Sequence, residues 1–126
     1  MKTIILGNKD DNLKYGFRET CFGIYIKDNK VLVTYDKKHN QYSLIGGGIE
    51  ENESKHDTLR REFYEEAGIK IKNIKHFITI DCYWLAGGDY PMESLANFYY
   101  IDIDKIEFAL PYQQKAFELF VNEIKK

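Results

Sequence analysis

Scarcity sets the first limits on this chain. Only two cysteines, Cys21 and Cys82, occur in 126 residues. Both lie in apolar, strand-like stretches without CxxC spacing, so neither a disulfide framework nor a thiolate metal site is expected, and both read as buried reduced thiols. His39, His56 and His76 are scattered, and no pair has a spacing such as HExxH, which removes the common zinc-hydrolase layouts and leaves them as solvated or loop residues. An excess of one charge is also missing: 18 Lys and Arg against 20 Asp and Glu leave a formal net charge of −2. That balance offers no basis for bulk nucleic-acid or membrane binding, although a local basic patch could still hold a nucleotide. The first apolar run, Ile4 to Leu6, is far too short for a signal-peptide core or a membrane span, so the cytosol is the expected location.

What is present suits one globular domain over residues 1–126: 44% hydrophobic and 30% charged residues, with no linker, internal repeat or low-complexity segment. Phe17 to Ile26 and Lys30 to Tyr35, rich in β-branched and aromatic residues, read as a hairpin around Asp28-Asn29. A turn over Asp36 to Asn40 leads to a short strand, Tyr42 to Ile45. Ile71 to Leu85 and Ser94 to Ile103 are two longer strands around a loop, Ala86 to Pro91, marked by Gly87-Gly88. Pro111, followed by Ala116, Phe117, Phe120, Val121 and Ile124, indicates an amphipathic C-terminal helix. Strands, helix, strands, helix is the order of an α+β fold with a sheet and helices packed on it.

The segment GGGIEENESKHDTLRREFYEEAGI, Gly46 to Ile69, carries the chemistry. Ser54 and Asp57 form a capping-box pattern, Leu59, Phe63 and Ala67 repeat at helical spacing, and Gly68 stands where a left-handed cap would, so a helix over about Lys55 to Ala67 is predicted. At roughly 100° per residue, Glu62, Glu65 and Glu66 share an arc of about 100° beside the apolar stripe. Like charges at these spacings each cost about 0.2–0.5 kcal/mol, and a divalent cation would remove the repulsion. Ligands that are all oxygen suit Mg²⁺ or Mn²⁺. The plainer alternative is a solvated acidic face paired with Arg60, Arg61 and Lys70.

The spacing from Gly47 through Glu53, Arg61, Glu62, Glu65, Glu66 and Gly68 resembles the signature box of the Nudix (MutT-like) hydrolases, here residues 47–69. Seven such positions coincide by chance on the order of once in 10^8 starts. The chain departs from the family pattern at Ile45, where proline is usual, at Asn52, where glycine is common, and at Phe63, where Leu, Ile or Val is usual. The resemblance implies an α/β/α sandwich, its mixed sheet packed against the box helix and a C-terminal helix. It also implies hydrolysis of a nucleoside diphosphate linked to another moiety, by water attack on the pyrophosphate. Carried over by motif position, Glu62, Glu65 and Glu66 are the metal ligands with the Gly47 carbonyl. Arg61 orients a carboxylate, Glu53 ties loop to helix, and Gly46, Gly47 and Gly48 let backbone approach metal and phosphates.

The general base comes from the helix or from a later loop in different family members. Glu93 is the loop candidate here, with Asp89 behind it, and a solvated loop acid is the plainer reading of either. Arg18 is placed as a phosphate contact, with Lys37 and Lys38 as further candidates. Trp84 could stack a base, with Tyr83, Tyr90 and Phe98 beside it; surface and core roles are the plainer readings. Absent sub-signatures lean toward small (deoxy)nucleoside triphosphates, including oxidised ones. Two alternatives stay open, a nucleotide sensor without turnover and an RNA 5′-pyrophosphohydrolase. Family members are often dimers, so a homodimer is open as well.

Overall fold

Alternation of β-branched and aromatic residues builds most of the molecule, seen in a computed structural model that describes residues 2–107. The order is β1 (Thr3–Leu6), β2 (Gly16–Ile24), β3 (Ile26–Lys27), β4 (Lys30–Val31), β5 (Val33–Asp36), β6 (Gln41–Gly48), α1 (Lys55–Ala67), β7 (Ile69–Ala86) and β8 (Tyr90–Ile106). Six strands form one sheet in the order β1-β7-β8-β2-β6-β5. β1 runs parallel to β7 and β2 parallel to β8, while the remaining pairs are antiparallel. The result is the α+β fold with a mixed sheet that the sequence implied. The expected C-terminal helix, from Pro111 to Ile124, lies outside the described residues.

Two strand expectations are corrected. β2 and β5 do not form one hairpin: only Ile26↔Val31 and Lys27↔Lys30 pair across the turn, where Asp28 and Asn29 both take positive φ, 53° and 62°. Both edges of β2 are already occupied, by β6 and β8, so β5 pairs with β6 instead. The expected loop Ala86 to Pro91 shrinks to a turn over residues 87–89, carried by positive φ at Gly87 and Gly88. Glu93 and Pro91 therefore belong to strand β8.

One sheet face receives α1. Leu59, Phe63 and Ala67 are buried there with Cys21, Ile45, Ile69, Ile71, Tyr99 and Ile101. Burying a side chain the size of Leu59 or Phe63 stabilises the fold by roughly 1.5–3 kcal/mol. Gly23 explains why Phe63 fits where the family pattern has an aliphatic residue. A Cβ on Gly23 would sit 2.6 Å from the ring's Cζ, so the missing side chain on β2 makes the room that the larger ring fills.

Candidate active site

The helix that presents the carboxylates is fixed at both ends by local chemistry. Ser54 Oγ accepts the Asp57 N–H at 3.0 Å, and the Asp57 carboxylate accepts the Ser54 N–H at 3.2 Å. Gly68 closes α1 in the left-handed region, φ 65°, its N–H returning to the carbonyls of Phe63 and Tyr64.

Arg61 is the hub. Its Nε and Nη2 grip Glu53 at 2.6 and 3.1 Å, and Nη2 also donates to the Gly48 carbonyl at 3.1 Å. Nη1 reaches Glu62 at 2.9 Å and Glu65 at 3.4 Å, with Glu50 at 3.6 Å. Glu53 further accepts the Glu50 N–H at 3.0 Å and the Thr58 hydroxyl at 2.8 Å, so it joins loop to helix. The Arg61 guanidinium, then these donors, hold the Glu53 carboxyl down at about 2.

β6 extends through the glycine triplet, beyond the expected end at Ile45. A Cβ on Gly46 would meet Phe22 Cα at 2.7 Å, and one on Gly47 would meet Glu62 Oε1 at 2.5 Å. Glycine at 46 admits the neighbouring strand and glycine at 47 admits a carboxylate. β5 ends opposite Leu44, and beyond it the Gly46 N–H bonds to the Glu66 carboxylate. Glu66 is pushed up to about 7: packing around its carboxyl contributes most, then the negative charge of Glu62, with Glu65 adding less and the Gly46 N–H opposing them. Solvent still reaches much of the Glu66 side chain.

Among the described residues, no group of three or more His, Cys, Asp or Glu side chains is gathered as a metal cage. Arg61 draws Glu62 and Glu65 to itself while Glu66 turns to Gly46, so gathering them on one ion requires some of these bonds to be exchanged. The donor set nevertheless fits a hard divalent cation. It is all oxygen, the Gly47 backbone adjoins Glu62, and the charges of Glu62 and Glu65 add, after burial, to the rise at Glu66.

The other candidates are split by the sheet. Gly47 and Gly23 mark the α1 face, and the register carries it across to Asn97, Thr79, Glu93 and Tyr83. Glu93 lies there, in β8, accepting the Tyr83 hydroxyl at 3.2 Å. Nearby Asp81 is raised, first by burial and then by its hydrogen bond and charge interaction with Glu93. Its Oδ1 is buried without a hydrogen-bond partner. Asp89 is exposed in the turn. Trp84 and Arg18 occupy the opposite face. The Trp84 indole donates to Ser94 Oγ at 2.9 Å, Ser94 lies directly across from Arg18, and the Arg18 guanidinium borders Gly48 at 3.8 Å from a Cβ placed there. The sequence placed Glu93 in one loop beyond Trp84. Strand alternation instead sends the two side chains to opposite faces.

Of the histidines expected in solvent or loops, His39 does lie in a turn, paired with Asp36 at 2.7 Å. His56 is exposed on α1, as expected, and His76 is half-buried on β7, each at near right angles to the Tyr99 ring. The sequence reading also passed over Glu19, Thr79 and Asn97, which meet beneath the box loop. The available signal was an asparagine at an inward position of a strand whose same-face neighbours, Leu95, Tyr99 and Ile101, are apolar or aromatic.

Comparisons with known proteins bear on the fold and the family. Among solved structures, the MutT NUDIX hydrolase of Burkholderia pseudomallei superposes with TM-score 0.59 at 20% identity, covering 73% of this chain and 75% of that one. The MutT protein of Bacillus halodurans gives 0.58 at 17%, covering 86% and 83%. At such identities the likeness concerns the fold. Among curated relatives, an 8-oxo-dGTP diphosphatase of Buchnera aphidicola subsp. Schizaphis graminum is 35% identical over 72 residues, 54% of this chain and 55% of its own length. An RNA pyrophosphohydrolase of Psychromonas ingrahamii is 37% identical over 72 residues, 56% and 39%. An NAD-capped RNA hydrolase NudC of Vibrio parahaemolyticus is 38% identical over 53 residues, 40% and 20%. The match thus spans between a fifth and about half of these relatives' lengths. The family model for the NUDIX domain covers residues 17–117, and the chain belongs to the Nudix family.

Proposed function

We propose that this chain is a divalent-metal-dependent pyrophosphohydrolase of small nucleotides, (deoxy)nucleoside triphosphates or modified forms of them, acting in the cytosol. One observation carries the reading: Arg61, fastened by Glu53 and the Gly48 carbonyl, reaches Glu62 and Glu65 on the helix face that abuts Gly47. Glu62, Glu65, Glu66 and the Gly47 carbonyl would hold Mg²⁺ or Mn²⁺, which when bound neutralises phosphate charge and acidifies the attacking water. Arg61 aims Glu62 and Glu65 through its Nη1 hydrogen bonds. Glu93, on the same sheet face, takes the proton from the attacking water, with the Tyr83 hydroxyl fixing its carboxylate.

On the other face, Trp84 and Arg18 sit on β7 and β2 with β8 between them and two residues out of register, about 12 Å apart at ordinary strand geometry. That span suits a stacked base at Trp84 and phosphates led by Arg18 toward Gly48. A nucleotide sensor without turnover is disfavoured by the complete set of box acids. An RNA 5′-pyrophosphohydrolase is the second reading, favoured by the relatives that carry that name and opposed by the acidic balance of the chain.

The test is release of phosphate and pyrophosphate from nucleoside triphosphates, ADP-ribose, NADH, dinucleoside polyphosphates and 5′-triphosphate RNA, with Mg²⁺, Mn²⁺ or EDTA. Metal-dependent turnover of nucleoside triphosphates is expected. Preferential RNA turnover with steep salt dependence would transfer the assignment to the second reading, and tight binding without product would transfer it to a sensor.

A further inference from the structure

A single rung of the sheet links Gly47 on β6 to Cys21 on β2, Asn97 on β8 and Thr79 on β7. Asn97 is 1% exposed, and its amide oxygen and both amide N–H donors have partners. Thr79 Oγ1 donates to Asn97 Oδ1 at 2.9 Å, while Nδ2 donates to Glu19 Oε2 at 2.9 Å and to the Thr20 carbonyl at 3.1 Å. Because the Thr79 proton goes to Asn97, His76 Nε2, 2.8 Å from Thr79 Oγ1, must be the donor in that contact. Polarity therefore runs one way, from His76 through Thr79 and Asn97 to Glu19. A flipped amide would set its oxygen against the Glu19 carboxylate and the Thr20 carbonyl, so the orientation has one solution.

The β2 end of this clamp, Glu19 and Thr20, leads to the box. The Glu19 carboxylate lies 3.8 Å from Lys55 Nζ at the first position of α1, and the Glu19 carbonyl accepts the Ile49 N–H at 3.2 Å. Thr20 lies directly across from Gly48, whose carbonyl takes Arg61. We infer that Asn97 is a positioning residue: its amide locks residues 19 and 20 of β2, and through them Gly48, Ile49 and Lys55, so that the end of β6 and the carboxylate face of α1 keep their separation. The inference rests on the active-site reading above. Removing the amide would strand the buried Thr79 hydroxyl and the Glu19 carboxylate; satisfied, the network adds a unique geometry.

The test exchanges donor and acceptor. Asn97→Asp sets a carboxylate against Glu19, and adding Glu19→Gln restores a donor facing an acceptor across the same gap. Two readouts are taken: hydrogen exchange of the Ile49 amide relative to amides of β7 and β8 in the metal-free protein, and Mn²⁺ affinity by direct titration. Asn97→Asp is expected to speed relative exchange at Ile49 and to weaken Mn²⁺ about tenfold, the scale of a lost supporting bond at a metal site, and the double variant to recover part of each, since it restores the 97–19 bond but neither the donor to the Thr20 carbonyl nor the Glu19–Lys55 pair. A lower melting temperature with relative exchange and Mn²⁺ affinity unchanged would overturn the inference. If Asn97→Asp does not fold, Thr79→Val removes the donor that orients the amide, and the same two readouts must shift in the same direction. If the wild-type protein binds no Mn²⁺, the active-site reading fails by itself, and exchange at Ile49 alone decides whether the clamp positions the loop.

Discussion

Two acidic groups share the α1 face of the sheet, and they handle negative charge by different means. On α1 a guanidinium stands among Glu53, Glu62 and Glu65, and Glu53 is held well ionised by it. Between β7 and β8, Asp81 and Glu93 meet a phenol instead, and Asp81 rises, favouring its protonated form. A carboxylate fixed by arginine stays available to a cation, whereas a carboxylate beside a proton-sharing neighbour is suited to exchange protons. The contrast teaches why a count of acids does not separate ligand from base: the partner decides.

The comparison breaks most sharply at Glu93. If the β7–β8 group supplies the base, Glu93→Gln should lower kcat by about 10²–10⁴-fold, the usual worth of a general base, with Asp89→Asn near wild type. Full activity in both variants, measured by steady-state turnover, would return the base to α1. On the α1 side, Arg61→Lys keeps the charge but loses the two-pronged grip on Glu53 and the reach to Glu62, so metal affinity or kcat should fall about 10–100-fold. A lysine variant with wild-type constants would show that charge alone suffices. The smallest functional effect belongs to packing beneath α1. Gly23→Ala should cost about 1–3 kcal/mol by crowding the Phe63 ring, read by denaturant unfolding, and Phe63→Leu in the same chain should recover most of it. An additive double variant would deny that the two residues are matched.

How much of this was legible in the sequence follows the range of each interaction. α1 was readable to its ends because Ser54, Asp57 and Gly68 act within one or two turns. The hub at Arg61 was readable only in part, since its bond to Glu65 follows from helical spacing but its bonds to Glu53 and Gly48 depend on how the loop folds back. The short edge strand β1 was missed, as four residues carry too little period to stand out. β5 was assigned to the wrong neighbour because the choice between β2 and β6 is made by strands far along the chain. Glu93 and Trp84 were both found, yet their separation to opposite faces depended on the turn closing over residues 87–89, which lengthened β8 past Glu93. Asn97 was not singled out, because its value lies in partners contributed by two other strands.

The most direct test of the central claim, that the α1 carboxylates form a divalent-metal site, is Mn²⁺ binding to wild-type protein and Glu66→Gln between pH 5.5 and 8.5. Glu66 titrates at about 7 in the metal-free protein and must lose its proton to act as a ligand. Wild-type affinity should therefore be greatest above pH 7 and fall as the pH drops through that value, while Glu66→Gln should bind weakly throughout and lose this pH dependence. Equal Mn²⁺ binding by the two proteins across the range would contradict the account.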